Sequence, residues 1–106
     1  MKSICIACVV YTLKGKDPKD NLYLEIFYLW LTMLIKNGGL EKGDILNIHM
    51  DTITIDYLQA TETICQVLFD ILPCEFKIHT FEPPETSLKG MMQKYIFTEY
   101  TQDVYI

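Results

Sequence analysis

The chain contains no arginine, and its nine basic residues are all lysines. Fourteen aspartates and glutamates outweigh them, which gives a formal net charge of −5. Because duplex nucleic acid is bound by a concentrated basic face, we do not expect nucleic acid to be the main partner of this acidic chain. The charge is modest and 12% of the residues are aromatic, so we expect a folded domain rather than a disordered chain.

The sequence also lacks clear signals for secretion or membrane insertion. Residues 4–13 follow Lys2 as in the start of a signal peptide, but no small-residue cleavage site comes after them. Residues 22–35 contain twelve apolar residues in fourteen, whereas a transmembrane helix needs ~20. We therefore expect a soluble protein without a membrane span, in which this segment is a buried helix.

No regular disulfide framework is present among the four cysteines, Cys5, Cys8, Cys65 and Cys74. Irregular spacing favours reduced thiols in the cytoplasm. Cys5 and Cys8 form a C-x-x-C pair, but a redox pair requires the N-terminus of a helix, where the thiolate is stabilised. These two cysteines lie within an apolar run that predicts a strand, where positions i and i+3 point to opposite faces. A thiol-redox domain is therefore the least favoured function.

Apolar, β-branched runs alternate with segments of helical periodicity along the chain. The strands are predicted at residues 3–12, 45–50, 75–81 and 103–106. A first helix is predicted at residues 22–36, with Asp20 or Asn21 as its N-cap and Asn37-Gly38-Gly39 as its end. A second helix is predicted to open at the capping box Asp56–Gln59 and to close at Pro73, and a third to cover residues 87–101.

This alternation predicts a single domain over residues 1–106 with an α/β fold. Strands that alternate with helices form βαβ units, so we expect a Rossmann-like, three-layer βαβαβαβ unit with a mostly parallel sheet. The fourth predicted strand reaches the end of the sequence at Ile106. The chain is therefore expected to be the opening half of a larger α/β fold.

In such a sheet ligands bind beyond the carboxyl ends of the strands. The loop after the first strand contains neither G-x-G-x-x-G nor a P-loop motif. It does contain Lys14, Lys16 and Lys19 within six residues. These lysines are either a phosphate-binding group or, as is more common, part of an ordinary solvated loop.

Three further polar residues lie near predicted strand ends. Asp51 follows the second strand, where a carboxylate either binds a ribose hydroxyl or caps a turn or the next helix. His49 and His79 each follow an isoleucine near a strand end. Two histidines without a third ligand do not make a metal site, so structural histidines are favoured over metal ligands.

The last twenty residues carry a more specific pattern. Lys94 lies five positions before Glu99-Tyr100, and the apolar segment Val104-Tyr105-Ile106 follows. This layout resembles the segment just before the Asp-x-Asp motif of nucleotide-sugar-dependent glycosyltransferases of the GT-A fold, especially the family 8 type. The upstream order of strands and helices is similar as well. Two departures are Val10-Tyr11-Thr12, where the family commonly has an aspartate, and Lys94, where it often has arginine.

The resemblance implies that the chain is the donor-binding half of a glycosyltransferase. Tyr11 and Thr12 would line the nucleoside pocket with help from Asp51, and Lys94 would face the diphosphate, with Lys14 as a further phosphate-binding candidate. The donor would be a nucleotide sugar such as a UDP-sugar. Mn²⁺ or Mg²⁺ would be bound by an Asp-x-Asp that follows Ile106, so this half alone is not expected to catalyse transfer.

A different function remains open from the residues alone. The sequence contains no complete catalytic constellation, which is typical of a small non-catalytic α/β interaction or structural module. The helix at residues 22–35 is apolar on every side. A helix of this kind needs cover on more than one side, which predicts a partner or a second half of the protein packed against it.

Overall fold

The computed structural model describes residues 3–61, 68–96 and 104–105. Its strands are β1 (Ile4–Val10), β2 (Ile45–Asp51), β3 (Glu75–Phe81) and β4 (Val104–Tyr105). Its helices are α1 (Leu22–Asn37), α2 (Thr52–Thr61), α3 (Ser87–Met91) and α4 (Gln93–Ile96), with a short 3-10 turn at Pro18–Asp20.

All four strands pair in parallel, in the order β3-β2-β1-β4. The pairing runs from Cys5↔Ile45 to Val10↔Met50 between β1 and β2. The chain thus passes outward from β1 to β2 and β3, and then returns to the other side of β1. This order confirms a small α/β fold with a parallel sheet, consistent with a Rossmann-like unit. The order in which strands are added to the sheet changes direction between β1 and β4.

One face of the sheet forms the apolar core with α1 and α2. Helix α1 begins after Asn21, whose Oδ1 accepts a hydrogen bond from the backbone N–H of Tyr23 over 3.1 Å, so Asn21 rather than Asp20 is the N-cap. Alternate strand residues point toward this helix because side chains alternate between the two faces. The buried cluster consists of Val10, Leu24, Phe27, Leu31, Leu46, Ile48, Met50 and Leu58.

The other face of β2 carries polar side chains. Asn47 and His49 are each only 3% exposed. The Asn47 side chain donates from Nδ2 to Cys5 Sγ over 3.0 Å, and its Oδ1 lies 2.8 Å from His79 Nε2. The rings of His49 and His79 stack with their centroids 4.9 Å apart. Both histidines therefore belong to a packed polar cluster.

Two helix boundaries differ from those that the sequence predicts. Helix α2 begins at Thr52 rather than Asp56, because the Asp51 carboxylate accepts hydrogen bonds from the first amides of the helix. The third predicted helix is divided at Met92 into α3 and α4. The predicted continuation of this third helix at residues 97–101 lies outside the described residues. So do part of the second predicted helix and the outer residues of the fourth predicted strand.

The first and third strands lie where they are expected. The apolar run at residues 3–12 forms β1 over Ile4–Val10, and β3 spans Glu75–Phe81 as predicted. Both strands consist largely of β-branched and aromatic residues, which suit a pleated, half-buried surface. In the part of the chain that the structure describes, no helix is both long and apolar enough to cross a membrane.

Candidate functional site at the carboxyl edge of the sheet

Four polar side chains form a directed hydrogen-bond chain where β1 and β2 end. Asn21 Nδ2 donates to Thr12 Oγ1 over 3.1 Å. Thr12 Oγ1 lies 2.8 Å from Thr54 Oγ1, and the Thr54 hydroxyl donates to Asp51 Oδ1. Because the Thr54 proton is directed at Asp51, the Thr12 hydroxyl must donate to Thr54. The chain links the start of α1, the end of β1 and the start of α2.

The carboxylate of Asp51 is surrounded by intramolecular donors. Its Oδ1 also accepts from the Thr12 backbone N–H over 2.9 Å. Its Oδ2 accepts from the backbone N–H groups of Ile53 and Thr54, each over 3.1 Å. The side chain is fully buried. Of the two interpretations of Asp51, this geometry favours the helix cap over direct contact with a ribose.

Tyr11 is held at the carboxyl end of β1 from two sides. Asn21 Nδ2 donates to its backbone carbonyl over 2.8 Å, and its own hydroxyl donates to the Ser87 carbonyl over 3.3 Å. Its ring lies flat against Gly90 of α3, where an added Cβ would come within 2.9 Å of the ring carbons. The absence of a side chain at Gly90 is therefore what allows the ring to pack there.

A cleft of about 350 Å³ opens beside Tyr11. The later half of β1 borders this cleft through Cys8, Val9 and Val10. It lies where the strand order reverses, which is the usual binding position in open α/β sheets. Its lining is apolar and aromatic: Cys8, Val9, Val10, Tyr11, Tyr23, Ile26, Phe27, Trp30 and Met91.

The lysine-bearing loop lies at the same edge of the sheet. It leaves β1 directly after Tyr11 and Thr12, and the backbone N–H of Lys14 donates to the Pro84 carbonyl over 2.8 Å. A turn follows in which the N–H of Lys16 donates to the Leu13 carbonyl over 3.0 Å, with Gly15 at a φ of 82°. Lys14, Lys16 and Lys19 are all exposed. Their charges are thus available to a ligand at the cleft.

The structure brings together only some of the residues that the sequence predicts for the site. Tyr11 lines the cleft and Lys14 lies on the adjoining loop. Thr12, only 3% exposed, and Asp51 lie beneath the edge and support it. Lys94 belongs to α4, which packs against β1, but its side chain lies outside the described residues.

Several residues of this edge escaped the sequence predictions. Asn21 was predicted only as a cap, although it also holds Tyr11 and Thr12. Tyr23 and Trp30 lie in the segment that was predicted as a buried helix, and the helical period places both on one side of α1, away from Leu31. The helical periodicity of this segment was the one feature of the sequence that could have indicated the cleft. Nothing in the sequence links Gly90 to Tyr11.

The described residues do not fit a divalent metal. Among residues 3–61, 68–96 and 104–105, no three histidine, cysteine, aspartate or glutamate side chains come together in a way that could hold one. The carboxylate of Asp51 is not available to a metal either, since it is saturated by its own donors. The Mn²⁺ or Mg²⁺ implied by the resemblance has no ligand set in this part of the chain.

The thiols of the described residues are poorly suited to redox chemistry. Cys5, Cys8 and Cys74 form no disulfide within the part of the chain that the structure describes. Burial raises the pKa of the Cys5 thiol above its ordinary value, and the hydrogen bond from Asn47 opposes this shift only in part. Burial also raises the pKa of Cys74, with a further contribution from the negative charges of Asp44 and Glu75. A redox pair requires the opposite shift.

Comparisons of this chain with protein-family models, with curated proteins and with solved structures find no match. The candidate site therefore stands on its own geometry: an aromatic cleft and a lysine-bearing loop at the edge where the strand order reverses.

Proposed function

We propose that this chain binds the nucleotide of a nucleotide-sugar donor, as the donor-binding half of a GT-A type glycosyltransferase. The observation that carries the proposal is the aromatic cleft at the carboxyl end of β1. A planar base is recognised by stacking on aromatic rings, which contributes roughly 1–3 kcal/mol per base. Tyr11, Tyr23 and Trp30 supply such rings within one cleft.

The neighbouring loop supplies charge for the phosphates. Lys14, Lys16 and Lys19 follow the cleft residue Tyr11 within eight positions and are exposed. Lysine acts on phosphate as a flexible point charge rather than as a bidentate fork, so no fixed geometry is required of this loop. A nucleoside in the cleft would place its phosphates toward these lysines and, by the resemblance, toward Lys94.

The residues beneath the edge position this site without touching the ligand. The chain of hydrogen bonds from Asn21 through Thr12 and Thr54 to Asp51 fixes where β1 ends. It therefore fixes where the Tyr11 ring and the lysine-bearing loop begin. In this proposal Thr12 and Asp51 are positioning residues. The transfer reaction itself is assigned to no described residue.

Trp30 provides a direct test, because it is the only tryptophan of the chain and lines the cleft. Titration with UDP, with and without Mn²⁺, should change its fluorescence in a saturable way. Lys14→Ala should raise the Kd of UDP by about three- to tenfold through loss of one phosphate contact. Lys77→Ala, which removes an exposed lysine from the edge strand β3, should leave it unchanged.

A saturable fluorescence change that depends on Lys14 but not on Lys77 supports the proposal. Two results would overturn it in folded protein: no fluorescence change accompanied by no shift in Tm at high UDP, or equal effects of the two alanine substitutions. Uridine should bind more weakly than UDP, since it lacks the phosphates that the loop would contact.

A non-catalytic interaction module is the second candidate. The observation that favours it is the exposure of large apolar side chains on α3 and α4, where Leu88 is 70%, Met91 57% and Tyr95 68% exposed. Exposed apolar patches commonly mark interaction surfaces. The UDP titration separates the two candidates, because this one predicts no saturable nucleotide binding in the cleft.

A further inference from the structure

The outer side of α1 carries an apolar stripe on the side opposite its buried residues. Leu22, Ile26, Leu29 and Met33 are 72%, 58%, 65% and 50% exposed. With 100° between successive residues, their directions around the helix fall within about 60° of one another, whereas the buried Leu24 and Leu31 point about 170° away. We call these four residues the outer stripe. The stripe is distinct from the cleft, with which it shares only Ile26.

The spacing of the outer stripe reads the same in both directions. Its members are separated by four, three and four residues. If a second copy of α1 is laid against it in the antiparallel direction, Leu22 faces Met33 of that copy and Ile26 faces its Leu29. A two-fold symmetric interface requires this kind of self-complementary surface. The stripe spans about 17 Å, roughly three helical turns.

The charges at the two ends of α1 favour the antiparallel direction. The exposed Glu25 lies in the first turn of α1, and the exposed Lys36 lies in its last turn. Antiparallel packing brings each Lys36 toward the end of the other helix that carries Glu25. It also aligns opposite ends of the two helix dipoles. Parallel packing would instead bring the Lys36 side chains of the two copies beside each other.

We propose that the outer stripe is a dimer interface, in which α1 packs antiparallel against α1 of a second copy of this chain. The pairing covers four large apolar side chains on each copy that otherwise face water. The contact area of one helix face is small compared with the ~1,600 Å² of a standard interface, so the dimer dissociates reversibly and its population depends on protein concentration. The proposal does not require nucleotide binding, although Ile26 also lines the cleft.

Sedimentation velocity over a range of protein concentrations tests the proposal. The unmodified chain should shift from monomer to dimer as the concentration rises. Leu29→Lys should raise the dimer Kd at least about tenfold, because each dimer carries the substitution twice near the centre of the interface. Leu88→Lys is the matched control, since Leu88 is equally exposed on α3. It should leave the dimer Kd unchanged.

A second pair of variants tests the direction of packing. Lys36→Glu should weaken the dimer by about two- to threefold at low ionic strength, where exposed charges are least screened. Lys77→Glu changes the net charge by the same amount on β3 and should have no effect. Circular dichroism checks that all four variants, which alter exposed residues, stay folded.

A chain that stays monomeric at every concentration would overturn the proposal, as would a dimer that tolerates Leu29→Lys. A dimer weakened equally by Leu88→Lys would place the interface elsewhere. A dimer that depends on Leu29 but not on Lys36 would overturn the antiparallel arrangement.

Discussion

The backbone N–H of Thr12 donates to Asp51 Oδ1 over 2.9 Å, so a side chain of β2 holds the residue at which β1 leaves the sheet. The opposite end of β1 is held in the same way. The N–H of Ile4 donates over 2.8 Å to the carboxylate of Asp44, which also accepts the N–H of Glu41. Asp44 directly precedes β2, Asp51 is its last residue, and both are buried. Two carboxylates thus fix both ends of the strand that carries the candidate site.

Replacing Asp51 should destabilise the fold. Both carboxylate oxygens of Asp51 accept hydrogen bonds. In Asp51→Asn one of these oxygens is replaced by an NH₂ group, which faces hydrogen-bond donors whichever way the amide is turned. A buried donor without an acceptor costs roughly 1–3 kcal/mol, and more than one is created here. We expect the free energy of unfolding in urea to fall by about 2–4 kcal/mol.

Asp56→Asn is the matched control for this substitution. Asp56 is exposed on the same helix and is the residue at which the sequence predicts that the helix begins. Its replacement should change the free energy of unfolding by no more than about 0.5 kcal/mol. Equal losses for the two variants would contradict the role assigned to Asp51.

Most of the secondary structure follows from local sequence. The run that forms β1 is rich in β-branched residues, and the predicted bounds of β3 agree with those observed. Asn21 was one of two predicted caps of α1, since a side-chain oxygen before an apolar periodic segment is a local signal. Alternation of these elements then predicts a parallel sheet.

The remaining features depend on contacts between distant residues. The predicted start of α2 was wrong because Asp56-Tyr-Leu-Gln59 and Asp51 both fit a helix cap, and only the fold shows which one accepts the amides. The cleft exists because α1, β1 and α3 meet beside Tyr11. The ring of Tyr11 rests on a glycine 79 positions away along the chain, and no periodicity encodes that contact.

That contact gives a second prediction. Gly90→Ala should destabilise the protein, because the new methyl group would lie 2.9 Å from the carbons of a ring that cannot bend away. Overpacking of this kind costs about 1–3 kcal/mol, offset by at most about 1 kcal/mol from the higher helix propensity of alanine. Thermal unfolding should show a lower Tm.

A double-mutant cycle isolates the contact. With Tyr11→Ala already present, Gly90→Ala should no longer destabilise and should show the gain in helix propensity instead. If Gly90→Ala cost the same free energy with and without the Tyr11 ring, the steric account would be wrong.

The raised thiol pKa values predict slow alkylation of the folded protein. Both Cys5 and Cys74 have pKa values above the ordinary 9.0, so at about pH 8 their thiolate fractions are smaller than in the unfolded chain. Iodoacetamide should label both residues more slowly in the native state than in urea, as measured by mass spectrometry. Since the folded state favours the protonated thiols, their contribution to stability is present below pH 9 and is lost at higher pH. Faster labelling in the native state would contradict the predicted shifts.

Lys94 provides the sharpest test of the resemblance to glycosyltransferases. If it faces the diphosphate, Lys94→Ala should raise the Kd of UDP about fivefold and leave the weaker binding of uridine unchanged, because uridine has no phosphate to lose. Lys89→Ala is the control, since Lys89 lies on the preceding helix and only forms an exposed ion pair with Glu85 at 3.9 Å. It should affect neither ligand. Equal effects of Lys94→Ala on UDP and uridine would mean that the residue supports the fold of α4 rather than the phosphate, and the assignment would fail.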